Sequence, residues 1–201
     1  LDIRNPKVSA IFKIRSEIFR AIVNFFSKEG FIKINTPKIT SAGVESGAEL
    51  FEIKYFNKKA YLSQSPQIYK QMMVAAGFEK VYEIGPVFRA EKSHTTRHLT
   101  EFTGVDMEIG FINDENDIMN IVEDLMKYII KEVINNCKDE LSLLNVKLEI
   151  PKDIPRLKIE EIRVMLNKEG KKLGKEDDLD AESEKLICEI VKKKYSNNFV
   201  F

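Results

Sequence analysis

The sequence predicts an α+β fold, an antiparallel β-sheet flanked by helices, and three observations carry that prediction. The segments Lys80 to Ala90 and Leu99 to Ile112 are rich in Val, Ile, Phe and Tyr and flank an eight-residue polar loop, so they read as two antiparallel strands. Ahead of them lies a long amphipathic helix whose apolar stripe is Ile11, Ile14, Ile18, Ile22 and Phe25. Between the two, Leu50 to Tyr55 and Ala60 to Gln64 flank the turn Asn57-Lys58-Lys59 and form a second hairpin.

The remaining elements follow in order. Asn5 and Pro6 start the first helix, because proline suits an N-terminal turn, and Gly30 ends it. Phe31 to Asn35 alternates like a strand until Thr36-Pro37, where proline cannot donate to a ladder. After the second hairpin Ser65 can cap a helix, Pro66 fits its first turn and Gly77 closes it, with Ile68, Met72 and Ala75 as the expected buried side. Residues 116–135 form a helix with Ile118, Ile121, Val122, Leu125, Ile129 and Val133 on one face. Two more helices are expected at 158–169, closed by Gly170, and at 181–195, joined by the polar linker KKLGKEDDLD. Asn198 to Phe201 reads as the beginning of a strand.

Composition bounds the function classes. With 201 residues, 43% hydrophobic and 32% charged, the chain is an ordinary globular one, long enough for one domain with a real core. Lys plus Arg equals Asp plus Glu at 32 each, so no global positive field marks a free-standing RNA-binding module. Cys137 and Cys188 have no Cys or His at ligand spacing, which argues against structural zinc and fits a reduced compartment, most simply the cytoplasm. No apolar run approaches the ~18 residues of a membrane span, and LDIRNPK has no signal-peptide character. The chain begins with Leu, which suggests a piece of a longer protein. Glu176-Asp177-Asp178, in a lysine-rich linker, reads as solvated rather than metal-binding, and no metal ligand set is expected in the chain.

The chemistry concentrates at residues 88–101, FRAEKSHTTRHLTE, which hold both histidines. On the strand that follows, Thr103, Val105, Met107, Ile109 and Phe111 share one side, the expected core face, while Phe102, Gly104, Asp106 and Glu108 share the other. The partner strand puts Arg89 and Glu91 on a common side. Such charges are costly to bury unpaired, so this is either a solvated, ion-paired sheet face or a binding site. Gln67 and Lys70 also share a helix face, and a lysine in a first helical turn opposes the dipole by roughly 0.3–1 kcal/mol, which a bound carboxylate would offset. A solvated surface lysine is the plainer alternative.

The order F-R-A-E, polar loop, R-H-L, E-F and D-M-E resembles motif 2 of the class II aminoacyl-tRNA synthetases, and within them the aspartyl-tRNA synthetases of archaeal and eukaryotic type. The likeness extends through SAGVESGAELF at 41–51 and YLSQSPQIYKQM at 61–72, and covers the whole chain. It implies a class II catalytic core with motif 1 at about residues 20–40, motif 2 at about 80–112 and an inter-motif helical region at 113–201. It further implies ATP-dependent activation of L-aspartate to aspartyl-adenylate and transfer to the 3′ end of tRNA(Asp), by a homodimer joined through motif 1 near Pro37.

By position, the resemblance gives Arg89 the α-phosphate as the catalytic contact, and Glu91 and Phe102 the adenine. Arg97 and His98 fall to the outer phosphates, with Ala90 and Leu99 lining the ATP site. Asp106 and Glu45, helped by Gln67, would take the α-ammonium of aspartate, and Lys70 its side-chain carboxylate, beside Arg89. Lys70, within QSPQIYKQ, favours aspartate over asparagine, because the amide would leave the lysine partly unpaired. One departure is Glu45-Ser46-Gly47 where relatives commonly have Glu-Gly-Gly.

A larger departure is that the third class II motif, with its γ-phosphate arginine and magnesium-holding acids, has no counterpart: the last glycine is Gly174 and the last arginine Arg163. The sequence thus reads as the first part of a catalytic domain, cut before motif 3. Magnesium is expected from the family with ligands outside this chain, and the 201 residues alone are not expected to form adenylate efficiently. The alternatives are an asparaginyl-tRNA synthetase, a tRNA-independent amide ligase that aminates aspartate, and a non-catalytic synthetase paralogue.

Overall fold

The computed structural model describes residues 2–41, 50–90, 99–171, 173–174 and 178–201. They divide into two compact units, one of residues 23–114 and one of 1–22 with 115–201, the boundary falling inside the first helix.

That helix, α1 (Pro6–Lys28), follows a short 3-10 turn at Asp2–Arg4. Asn5 Oδ1 accepts the amide N–H of Lys7, a cap on one of the first-turn donors that the helix itself cannot satisfy. At the other end Gly30 turns left-handed (φ 77°) and Phe31 N–H returns to the Phe26 carbonyl, the closure that glycine permits without steric cost. The buried line runs Ala10, Glu17, Ala21, Ile22, Phe25 and Phe26, whereas Ile11, placed on the stripe by periodicity, is 54% exposed. Ile11 lies one 100° step off the line that Ala10 begins. Glu17 tolerates burial because Asn136 Nδ2 donates to it at 2.8 Å and Arg20 pairs with it.

In the 23–114 unit the strands form two three-stranded sheets. One has the order β1 (Ile32–Lys33), β5 (Lys80–Phe88), β6 (Glu101–Ile109); the other β2 (Ile39–Thr40), β4 (Lys58–Leu62), β3 (Glu52–Tyr55). β5 and β6 pair antiparallel from Lys80↔Ile109 to Phe88↔Glu101, as the sequence predicts. The β1–β5 pair is parallel, so this sheet is mixed, the long connection between them allowing the crossover a hairpin cannot make. Phe26 stacks on Tyr82 at 4.5 Å and meets Phe31 edge-on at 4.8 Å, an aromatic core worth roughly 1.5–3 kcal/mol per buried ring.

Three expectations are corrected here. The β3–β4 turn is Phe56-Asn57, with Phe56 left-handed (φ 52°), and Lys58 and Lys59 already belong to β4 opposite Tyr55 and Lys54. The Thr103 and Val105 side of β6 is exposed rather than core: the phenyl rings pack at Tyr82, opposite Met107, toward the other end of the strand. Phe111, 89% exposed, lies past the end of β6, where the backbone turns left-handed (φ 59°).

The helix α2 (Gln67–Ala75) starts as Ser65 Oγ accepts the Gln67 N–H, and ends at Gly77 (φ 98°), where Gly77 and Phe78 donate to the Val74 and Met73 carbonyls. Its buried side is not the expected one. Ile68, Met72 and Ala75 are exposed, and Lys70 is the buried residue.

In the other unit, α3 (Glu115–Asn136) and α4 (Lys138–Leu144) gather Val133, Cys137 and Leu141 with Ile14 and Ile18 of α1. α4 was not expected; the chain breaks at Cys137 and Asn145 closes the helix in the left-handed region (φ 54°). Burial pushes the Cys137 thiol up from its ordinary value, so the group is inert packing. A second core joins α5 (Ile159–Lys168) and α6 (Ala181–Tyr195) through Ile162, Leu166, Ile187 and Val191. Phe201 forms no assigned strand but exchanges backbone hydrogen bonds with the 155–157 segment.

Candidate functional site

Side-chain alternation and the β5–β6 register put Val81, Glu83, Gly85, Val87 and Arg89 on one face with Glu108, Asp106, Gly104 and Phe102. The inner face of α2 adds Gln67 and Lys70 to this group, three residues apart as the sequence predicts.

Lys70, only 4% exposed, is held at three points. Its Nζ donates to Asp106 Oδ1 at 3.2 Å and to the Met107 carbonyl at 3.1 Å, and Glu108 Oε2 lies 3.5 Å away. Two of the three ammonium donors thus have hydrogen-bond acceptors, and Glu108 adds an ion pair. Gln67 Nε2 donates to the same Glu108 oxygen at 3.3 Å, so the cluster is continuous from helix to strand. This explains the inverted face of α2: two carboxylates and a carbonyl make the buried lysine tolerable, and the apolar side chains turn outward.

Toward the other end of the face the Arg89 guanidinium lies 5.8 Å from the Phe102 ring centroid, a cation–π distance. The Arg89 amide continues the ladder by donating to the Thr100 carbonyl at 3.0 Å. Between the two ends Gly85 and Gly104 are paired directly, giving a floor without side chains. A Cβ at Gly104 would come within 3.0 Å of Asp106 Oδ2, and one at Gly85 within 3.3 Å of Glu83 Oε1, so glycine keeps both carboxylates where they stand. From Phe102 to Asp106 the strand rises ~13 Å. A ligand lying along it meets an aromatic ring and a guanidinium first, then bare backbone, then a lysine among carboxylates. That order suits a molecule with a flat ring, an anionic group and an amino acid head.

The structure thus brings together Gln67, Lys70, Arg89, Phe102 and Asp106 in one unit, with Ala90 partly buried and Leu99 exposed beside the hairpin end. Pro37 is exposed in the segment between β1 and β2. Glu45, Glu91, Arg97 and His98 lie outside the described residues. Sequence reasoning missed Thr36, Lys38 and Glu83, and gave Glu108 no role. Glu83 accepts from Thr36 N at 2.8 Å and Thr36 Oγ1 at 2.7 Å, and pairs with Lys38 Nζ at 2.9 Å. The available signal was parity, because 83, 85, 87 and 89 fall on one side of a strand. Among the described residues no three His, Cys, Asp or Glu side chains gather as a metal site requires, and Asp106 and Glu108 share the single Lys70 ammonium.

The whole chain, residues 1–201, matches the family described as tRNA synthetases class II (D, K and N). It is 49% identical over 188 residues to the aspartate–tRNA(Asp) ligase of Pyrococcus abyssi, covering 93% of this chain and 43% of the relative. It is 45% identical to the aspartate–tRNA(Asp/Asn) ligase of Aeropyrum pernix, covering 100% of this chain and 46% of the relative. Among solved structures it resembles asparaginyl-tRNA synthetase from Pyrococcus horikoshii complexed with asparaginyl-adenylate, with a TM-score of 0.86, 36% identity, and coverage of 94% of this chain and 44% of that one. The chain spans less than half the length of these relatives. Its fold is that of the class II synthetase structures, and the match over its full length makes it a member of the class II tRNA synthetases (D, K and N).

Proposed function

We propose that these residues form the N-terminal part of the catalytic domain of an aspartate–tRNA ligase, which activates L-aspartate with ATP and transfers it to tRNA(Asp) in the cytoplasm. The observation that carries the reading is the buried Lys70 among Asp106, Glu108 and Gln67, on the same sheet face as Arg89 and Phe102. The names of the ligases it resembles at 45–49% identity support it.

In this reading Phe102 stacks on adenine and Glu91 receives its amino group. Arg89 grips the α-phosphate with its planar fork as the aspartate carboxylate attacks, Arg97 and His98 reach the outer phosphates, and Ala90 and Leu99 line the nucleotide pocket. Asp106, with Glu45 and Gln67, binds the α-ammonium, and that contact draws Asp106 off Lys70. The freed N–H of Lys70 then meets the substrate's side-chain carboxylate. The exposed Ile32 and Ile39, either side of Pro37, provide apolar surface for a homodimer through motif 1.

The test is ATP–pyrophosphate exchange by the full-length protein with aspartate, asparagine and lysine in turn. Aspartate is expected to support it at least ~10²-fold better than asparagine, as for a site whose buried polar group is left unpaired by the wrong substrate. Exchange that prefers asparagine would sink the reading in favour of asparaginyl-tRNA synthetase, which the Pyrococcus horikoshii likeness keeps in view. Charging assays with tRNA(Asp) and tRNA(Asn) then separate the two kinds of aspartate ligase among the relatives.

A further inference from the structure

Glu83 is a buried carboxylate, 3% exposed, that the proposed chemistry does not use. Three donors converge on it, all from the two residues that flank Pro37: the amide and hydroxyl of Thr36 and the ammonium of Lys38, which also donates to Thr36 Oγ1 at 3.0 Å. The segment after β1 is fixed onto β5 a second time where Ser63 bridges them, its N–H donating to the Lys38 carbonyl and its carbonyl accepting from Phe88 N–H. Lys38 is therefore held in place rather than waving in solvent. Its Cε and Nζ would lie 3.4 Å from a Cβ at Gly85, so the ammonium stands over the glycine floor of the site.

The register makes this a matter of charge. Glu83 lies directly opposite Asp106 on the same face. Like charges at such positions, with Cβ atoms ~4.5–5.5 Å apart, destabilise each other. Each carboxylate has its own lysine from a different element, Lys38 on Glu83 and Lys70 on Asp106. With Glu108 the end of the face away from Arg89 carries three carboxylates against these two ammonium groups, so it is already short of positive charge before the substrate's acidic side chain arrives.

Resting on the aspartate reading above, we propose that Lys38 and Glu83 are a positioning pair that keeps the amino acid half of the site in charge balance and so admits the acidic side chain. Without the Lys38 ammonium, Glu83 keeps only the neutral donors of Thr36, and its charge acts on Asp106 and on the incoming aspartate. Lys70 is drawn toward the protein's carboxylates and away from the substrate's. The nucleotide end, beyond the glycine floor, is little affected.

The experiment compares Lys38→Met, Glu83→Gln and the double variant with the wild type, all full-length, by KM for aspartate and for ATP in pyrophosphate exchange and by thermal melting. Lys38→Met should raise the aspartate KM roughly three- to tenfold, as expected for one uncompensated charge at partial burial, and change the ATP KM less than about twofold. The double variant, which removes the uncompensated charge, should return the aspartate KM most of the way to wild type, which a purely structural role would not produce. If Lys38→Met does not fold, Lys38→Gln carries the same expectation, since its amide still donates to Glu83. An unchanged aspartate KM, a parallel rise of both KM values, or a double variant no better than Lys38→Met would overturn the proposal. A wild type with no aspartate-dependent exchange would remove the functional reading itself, and the pair with it.

Discussion

At the scale of single residues the face between β5 and β6 is decided by partners far away in sequence. Gln67 and Lys70 were legible as neighbours from their spacing alone, but the sequence put Ile68 and Met72 inside. Periodicity weighs apolar side chains and cannot see that Asp106, Met107 and Glu108, some 36 residues on, await the lysine. Glu83 and Lys38 were hidden for the same reason, since their pairing spans 45 residues (83 less 38) across a strand boundary. Two substitutions separate charge from shape. Arg89→Lys keeps the charge and loses the fork, and should lower kcat/KM for pyrophosphate exchange by roughly 10²-fold, the cost of losing one positioned transition-state donor. Lys70→Met removes the ammonium from between two carboxylates. Because those are partly open to solvent, it should cost about 1–3 kcal/mol in denaturant melts rather than the full penalty of a broken buried pair, and abolish measurable aspartate saturation.

At the scale of elements the punctuation of the chain was the most readable part. Gly30, Gly77 and Gly170 close α1, α2 and α5 as the sequence predicts, each with positive φ, and α6 occupies its expected residues. The hairpin turn at Phe56-Asn57 was misplaced because a phenylalanine in the left-handed region gives no composition signal, and α4 escaped because seven residues are too few to show a period. The start of α6 yields a pH prediction. Asp180 caps the helix by accepting the Ser183 amide at 2.7 Å and pairs with Lys171 at 3.0 Å. Hydrogen bonds from Ser183 and then the Lys171 ammonium lower its carboxyl pKa from the ordinary 3.8 to about 2. A pKa lowered on folding means that the ionised form binds the folded state more strongly. The stabilisation is therefore complete above about pH 4 and is lost as the pH falls through about 2. Asp180→Ala should lower Tm by about 2–4 °C at neutral pH. In scans at successively lower pH the gap to wild type should narrow below pH 4; a gap that stays constant down to pH 3 would contradict the capping role.

At the scale of the whole molecule, charge and completeness of the site both bear on what this chain does alone. Its 32 basic and 32 acidic residues leave no net field to gather RNA, and in the proposed reading the described residues offer groups for an adenine, one phosphate and an amino acid. After Arg163 the chain has no further arginine to join Arg97 at the outer phosphates, and among the described residues no cluster of acids gathers to hold a metal there. Transition-state contacts of that kind act together, so their loss multiplies: two charge-assisted interactions at ~1.5–3 kcal/mol each correspond to roughly 10²–10⁴-fold in rate. The residues proposed to contact aspartate, by contrast, lie within residues 23–114, and the bonds among Gln67, Lys70, Asp106 and Glu108 do not involve those groups. The 201-residue chain should therefore bind aspartate measurably by calorimetry, within about an order of magnitude of the full-length protein, while its aspartate-dependent pyrophosphate exchange is lower by roughly 10³-fold or more. Robust exchange by the short chain would show that Arg89, Arg97 and their neighbours complete the chemistry without a further phosphate-binding arginine. Loss of aspartate binding together with exchange would show instead that the amino acid half of the site is not self-sufficient, and that the Lys70 cluster needs the rest of the catalytic domain to hold its shape.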